Sequence, residues 1–189
     1  KNAVSIVRRI TGGGAVFHQH ELTYSIVLPE EHPLAVKSIE KSYAIFCSAL
    51  IKAFGILGIQ AEFAPINDIL VEGKKISGNA QTRKFGCILQ HGTILIRVDV
   101  DRMFELLKVP SEKSRGKLIQ DVKKRITSIE QLLDINPSYE EIESAVEAGF
   151  REALELDYTN QKTPTSDEVQ RAESLAVSRF SSDEWNFRR

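Results

Sequence analysis

Three short runs of this 189-residue sequence bring together residues able to handle an anion or an acyl group. The first is Arg8-Arg9-Ile10-Thr11-Gly12-Gly13-Gly14-Ala15. Glycine removes the side chains that keep a ligand off the backbone amides. Consecutive exposed amides then form an anion-binding concavity, which an arginine at its rim reinforces with charge-assisted hydrogen bonds. The plain alternative is a flexible turn between two strands, since the run has neither Rossmann nor Walker spacing. The second run is Asn67-Asp68-Ile69-Leu70-Val71-Glu72-Gly73-Lys74-Lys75-Ile76-Ser77-Gly78-Asn79-Ala80. A turn with two lysines is ordinarily just solvated. Here small residues follow it, as they would where something approaches the backbone closely. A lysine aimed into such a site stabilises a carboxylate, or the oxyanion formed on attack at an acyl group. The preceding asparagine and aspartate suit a sugar hydroxyl, an adenine or a magnesium ion. The third run, Gln90-His91-Gly92-Thr93, sets a histidine beside a glycine in mid-sheet, where a structural role is the ordinary reading. His18 and His20 lack the company a metal site needs, and no ligand spacing for structural zinc is present.

The elements that must position these runs follow from periodicity. Residues 4–9, 15–18 and 22–28 are β-branched or alternating and predict strands. From Pro33 the period becomes helical, with Val36, Ile39, Tyr43, Phe46, Leu50 and Phe54 on one face and Gly55 and Gly58 as a stop. Residues 67–71 predict a short strand, a turn at Glu72-Gly73-Lys74 and a continuation through 76–80. Residues 87–90 and 93–98 read as two further strands, and 101–107 as a short helix ended near Pro110. The charged segment 111–124 reads as surface helix or loop, and 128–133 as a helical turn or two. Ser138-x-x-Glu141 and Thr165-x-x-Glu168 are capping boxes that open helices carrying Ile142, Val146 and Phe150, and Val169, Ala172 and Leu175. The segment 159–165 between them is polar and reads as a loop. Strands come mainly first and helices mainly last, which predicts an α+β fold with a mixed or antiparallel sheet packed by helices.

Composition removes several classes of function. With 25 basic and 26 acidic side chains the formal charge is -1, so no general nucleic-acid coating is present. Two cysteines, Cys47 and Cys87, are too few for a disulfide scaffold and lie in apolar surroundings, which favours a reducing, cytoplasmic setting. The longest apolar stretch is broken by Lys52, so no membrane span is expected, and nothing resembles a secretory signal.

Taken in order, residues 8–18, 67–80 and His91-Gly92-Thr93-Ile94-Leu95 resemble the lipoate–protein ligase A family, within the superfamily that also holds octanoyltransferases and biotin protein ligases. Val122-x-x-Arg125-x-Thr127-Ser128-Ile129 and the ending Glu184-Trp185-Asn186 are similar to further family segments. The resemblance implies lipoate activation by ATP and Mg2+ to lipoyl-adenylate, then transfer to a lysine of a lipoyl-acceptor protein. Acceptors of that kind are the E2 subunits of 2-oxoacid dehydrogenases and the glycine cleavage H protein. Lys75 matches the family's catalytic, acyl-contacting lysine. Arg9, Gly12, Gly13, Gly14, Ala15, Val16 and Phe17 match its nucleotide-binding segment. Asn67 and Asp68 are implied neighbours of the nucleotide, Asp68 also of magnesium, and Ser77, Gly78, Ala80 and His91 complete the adenylate pocket. The same resemblance implies one catalytic domain over residues 1–189, without the family's first strands and without its C-terminal accessory domain, as in split ligases served by a separate accessory protein. An octanoyltransferase that moves octanoate between carrier proteins without ATP is the rival. Glu21-Leu22-Thr23-Tyr24-Ser25 and Ala80-Gln81-Thr82-Arg83 look like that group, but residues 60–66 lack the cysteine its thioester chemistry uses. A non-catalytic subunit that binds lipoyl-adenylate or a partner is the third reading.

Overall fold

Side-chain alternation and two tight turns build the sheet. The computed structural model describes residues 4–107, 112–157 and 162–188. Five strands, β1 (Glu21–Pro29), β2 (Glu62–Ala64), β3 (Asp68–Val71), β4 (Lys74–Lys84) and β5 (Cys87–Leu95), lie in the order β1-β5-β4-β3-β2. Every neighbouring pair is antiparallel. The hairpins β3–β4 and β4–β5 close on Glu72-Gly73 and Phe85-Gly86, with φ of 50° and 73°, and 58° and 71°. Two-residue loops with both φ positive match the right-handed twist of the strands they join.

One face of the sheet is covered by helices. Helix α1 (Ile39–Ile56) starts on the Ser38 hydroxyl, which accepts from the Lys41 amide at 3.3 Å, and buries Tyr43, Phe46, Cys47, Leu50 and Phe54. Helices α2 (Val100–Leu106), α3 (Glu112–Arg125) and α4 (Ile129–Leu132) follow the sheet. Helix α5 (Tyr139–Ala153) opens on its capping box and packs beside α1, with Ile142, Val146 and Phe150 buried. The core between helices and sheet holds Phe46, Leu50, Phe54, Ile69, Ile88, Ile94 and Ile142, all at most 1% exposed. After α3 the chain runs beside β4: Ile126 bridges to Lys75, and the Thr127 amide donates to the Lys75 carbonyl at 2.9 Å.

The chain divides into two compact units, Gly12–Asp157 and a smaller one from Lys1–Thr11 with Tyr158–Arg189. In the smaller unit α6 (Ser166–Leu175) begins on the Thr165 capping box and runs into a π-helical turn, Ala176–Phe180. The short α7 (Asp183–Asn186) follows. Trp185 Nε1 donates to the Arg8 carbonyl at 2.8 Å, and the Arg8 amide donates to Asn186 Oδ1 at 2.8 Å. The Arg8 guanidinium donates to the carbonyl of Arg188 at 2.6 Å. The guanidinium carbons of Arg179 and Arg188 lie 4.1 and 3.9 Å from the Trp185 ring centre, within cation–π range.

The structure corrects several sequence expectations. Residues 4–9 and 15–18 form no strand, because no neighbouring strand pairs with either. Residues 87–90 and 93–98 are one strand that passes through His91 and Gly92 and ends at Leu95. The charged segment is helix α3. The apolar face expected on α6 is exposed, Val169 at 44% and Leu175 at 38%. Of the expected loop 159–165, residues 162–165 have no regular structure and 159–161 lie outside the described residues, as do residues 108–111 around Pro110. Among the described residues, no helix is long and apolar enough to cross a membrane.

Candidate active site

Cross-strand partners share a face of a sheet. Across the face turned away from α1 runs the row Thr23, Thr93, Gly78, Asp68, with Ser25, His91 and Ala80 in the next row but one. Thr23 and Ser25 are exposed, so this face is open where the opposite one is covered. A register shift between Ile69 and Leu70 sets Lys75 opposite Leu70. The Lys75 side chain then lies back over Gly78. A Cβ on Gly78 would sit 2.6 Å from Lys75 Cε and 2.7 Å from Nζ, so no larger residue fits there without displacing the lysine. Lys75 Nζ forms a 2.7 Å ion pair with Asp68 Oδ1, the two side chains being about one-third exposed. An ammonium has three donors. One faces Asp68, and the others can meet an acyl oxygen on the open face.

Of the residues singled out from the sequence, Asp68, Lys75, Gly78, Ala80 and His91 share this face. Ser77 turns to the helix-covered side and is fully buried. Asn67 gives its side-chain amide to the Asn79 carbonyl, and its own carbonyl accepts from Asn79 Nδ2 at 2.9 Å. It therefore shapes the turn that carries Asp68. Asp68 is taken up by Lys75, and no group of three His, Cys, Asp or Glu able to hold a metal gathers among the described residues. The glycine run has no regular structure; Gly12, Gly13, Gly14, Ala15 and Val16 are exposed, and Phe17 is half-buried. Gly13 has φ 106°, whereas a Cβ on Gly12 or Gly14 would meet nothing within 4 Å. Glycine at those two places is thus not demanded by packing. In the smaller unit, Arg9 donates to the Thr11 hydroxyl at 3.2 Å. A cleft of about 670 Å³ beside His20, Arg97, Asp101 and Lys123 contains none of the singled-out residues. Its walls are already paired: Arg97 holds His20 at 2.6 Å and Lys123 holds Asp101 at 2.6 Å.

Neither thiol is placed as a nucleophile. Cys47 is fully buried in α1, and burial, with the charge of Asp68 adding to it, pushes its pKa up to about 12. A thiol held that high is not a thiolate near neutrality. Cys87 begins β5 opposite Lys84, nine residues along β4 from Lys75, or roughly 30 Å at the usual strand rise. What the sequence reading missed is a polar set on the helix-covered face: buried Tyr24, Asn79 and Gln90, with half-buried Gln81. Burial pushes the Tyr24 hydroxyl far above the usual phenol range, so it stays protonated. Strand alternation could have found these residues, because Tyr24, Asn79, Gln90 and Gly92 all fall on inward positions.

The model of the lipoyl protein ligase A/B catalytic domain family matches residues 1–151. Octanoyltransferase LipM of Brevibacillus brevis is 36% identical, over 98% of this chain and 75% of that protein. Octanoyltransferase LipM of Bacillus subtilis is 32% identical, over 100% of this chain and 76% of that protein. Among solved structures, the bipartite lipoate protein ligase described with its E2 lipoyl domain from Thermoplasma acidophilum superposes with a TM-score of 0.88. It is 31% identical, over 98% of this chain and 71% of that one. A lipoate-protein ligase A bound with ATP gives a TM-score of 0.81 at 28% identity, over 98% and 72%. These findings bear out the superfamily and the α+β fold. They overturn the expectation of an ATP-dependent lipoate ligase, because the curated relatives at 31–36% identity, matched over 97–100% of this chain, are octanoyltransferases. Ligase and octanoyltransferase both match nearly the whole chain, so motifs common to them could not separate the two activities.

Proposed function

The chain belongs to the lipoyl protein ligase A/B catalytic domain family, and from that premise we propose that it is an octanoyltransferase. It takes an octanoyl group from the thioester of a carrier protein and gives it to the ε-amine of a lysine on a lipoyl-type acceptor domain. The observation that carries this reading is the Lys75 ammonium, held by Asp68 at 2.7 Å over the side-chain-free Gly78 on the open face of the sheet.

The acceptor nitrogen attacks the thioester carbonyl carbon. A C–N bond forms and the carbonyl electron pair moves to oxygen. Collapse of that intermediate breaks the C–S bond, and the carrier thiol leaves with the proton that the nitrogen gives up. Lys75 faces the oxygen on which charge develops. A donor already fixed in place, needing no reorganisation at the moment of reaction, is the usual main contribution to such a step. Asp68 keeps the lysine from swinging into solvent. Since Cys47 is buried and held protonated, and Cys87 lies far along β4 from Lys75, the acyl group passes directly between the two partners rather than through a cysteine thioester.

Intact-mass analysis of a lipoyl-type acceptor domain tests this. Incubation with the chain and octanoyl-carrier protein, without ATP, should add one octanoyl group. Modification that appears only with a free acid and ATP would overturn the reading. An acyl adduct trapped on Cys47 or Cys87 would replace the direct step.

A further inference from the structure

The sheet contains a polar line that its core does not need. Tyr24 in β1 and Asn79 in β4 stand on the two strands that flank β5, both level with Gly92. The Tyr24 hydroxyl reaches across the intervening strand and donates to Asn79 Oδ1 at 2.6 Å. Gly92 makes this reach possible. A Cβ there would lie 2.2 Å from Asn79 Oδ1, 2.7 Å from Tyr24 Cε1 and 2.9 Å from the Gly78 carbonyl. The same hydroxyl accepts from Gln90 Nε2 at 2.9 Å, and Gln90 Oε1 accepts from Gln81 Nε2 at 2.9 Å. Gln81 Nε2 also meets the Ser42 hydroxyl on α1 at 2.9 Å. At the other end Asn79 Nδ2 and the Asn79 amide both donate to the Asn67 carbonyl, at 2.9 and 3.0 Å. Donation runs one way along the whole line, from Gln81 through Gln90, Tyr24 and Asn79 to the carbonyl beside Asp68.

Ser42, Tyr24, Gln90 and Asn79 are at most 8% exposed. Burying so many polar groups is costly unless every one is satisfied, and an apolar filling would cement α1 to the sheet as well. What the apolar filling could not do is fix the Asn67 carbonyl from two donors. That carbonyl precedes Asp68, and Asp68 holds Lys75. We infer that Tyr24, Gln90 and Asn79 are positioning residues, forming a relay over the Gly92 notch that fixes the Asn67–Asp68 turn and, through Asp68, the Lys75 ammonium. This deepens the acyl-transfer reading and rests on it for the role of Lys75, but the position of Lys75 can be measured without any acyl substrate.

The test uses Tyr24→Phe, which removes only the hydroxyl, and Gln90→Met, which removes the upstream donor at nearly constant size. The rate of Lys75 modification by an amine-directed reagent is read by peptide mass, relative to Lys74 in the same chain, at a temperature where melting shows each variant folded. Both variants should raise the Lys75-to-Lys74 ratio several-fold. In acyl transfer kcat should fall by up to about a hundredfold, as for a small displacement of a reacting group, with KM nearly unchanged. An unchanged labelling ratio in the folded variants overturns the relay. If the wild-type chain transfers no acyl group while the ratio still rises, the relay stands and the proposed activity fails.

Discussion

At the scale of single residues, the arrangement separates two adjacent lysines that sequence alone leaves alike. Lys75 lies over Gly78 against Asp68, whereas Lys74 is exposed at the β-turn. Lys75→Ala should lower kcat for acyl transfer by about 10²–10³, the usual cost of one oxyanion donor, and Lys74→Ala by no more than a few-fold. Equal losses from both would assign the role to the turn itself. Gly78→Ala should resemble Lys75→Ala, since its Cβ would occupy the space of Lys75 Cε. The thiols give an independent check. Native chain should show no labelling of buried Cys47, and a Cys47→Ala, Cys87→Ala double variant should keep transfer while losing some stability through the cavity left in α1. Abolished transfer in that folded double variant would restore a cysteine intermediate.

At the scale of elements, what the sequence showed well was local and what it hid was pairing. Both capping boxes form as their Ser/Thr-x-x-Glu spacing predicts, because every partner lies within three residues. Residues 4–9 have the composition of a strand, yet Arg8 is held by Asn186, 178 residues away, and no ladder forms. β propensity reports fitness for a pleated, half-buried surface, and whether a partner exists is decided elsewhere in the chain. Gly92 misled in the opposite sense: a glycine in a strand pattern reads as a break, but here it is a notch for the Tyr24–Asn79 contact. Asn67 was legible as special and not as structural, since nothing local shows that its partner is Asn79. The glycine packed most tightly against backbone drew no attention in the sequence. A Cβ on Gly149 in α5 would lie 2.4 Å from the Ala49 carbonyl and 2.7 Å from the Ala53 amide of α1. These are backbone atoms and cannot turn aside. Gly149→Ala should therefore force the two helices apart and lower unfolding free energy by about 1–3 kcal/mol, measured by urea denaturation, despite alanine's better helix propensity. A stabilised variant would show that the helices close by some other contact.

At the scale of the whole molecule, the family was legible because its motifs are contiguous, while the activity was not, because octanoyltransferase and ligase both match nearly the whole chain. The core also holds titratable groups, and this sets a limit on the fold. Tyr24 and Cys47 both belong to the unit Gly12–Asp157, and both are held protonated chiefly by burial. In the unfolded chain a thiol ionises near about 8.5 and a phenol near about 10. In the fold Cys47 retains its proton up to about 12, and Tyr24 longer still. The folded state therefore binds more protons than the unfolded one in alkaline solution, and stability must fall as pH rises. Below about pH 8.5 the contribution of both groups is complete; it is lost progressively from there toward pH 12, the thiol contributing first. The urea midpoint should be flat across neutrality and then decline steadily above about pH 9. Cys47→Ala is less stable at neutral pH from lost packing, yet its decline should begin about a unit later, where the phenol takes over. Parallel declines in the two proteins would show that general charge repulsion, and not the buried thiol, sets the alkaline limit.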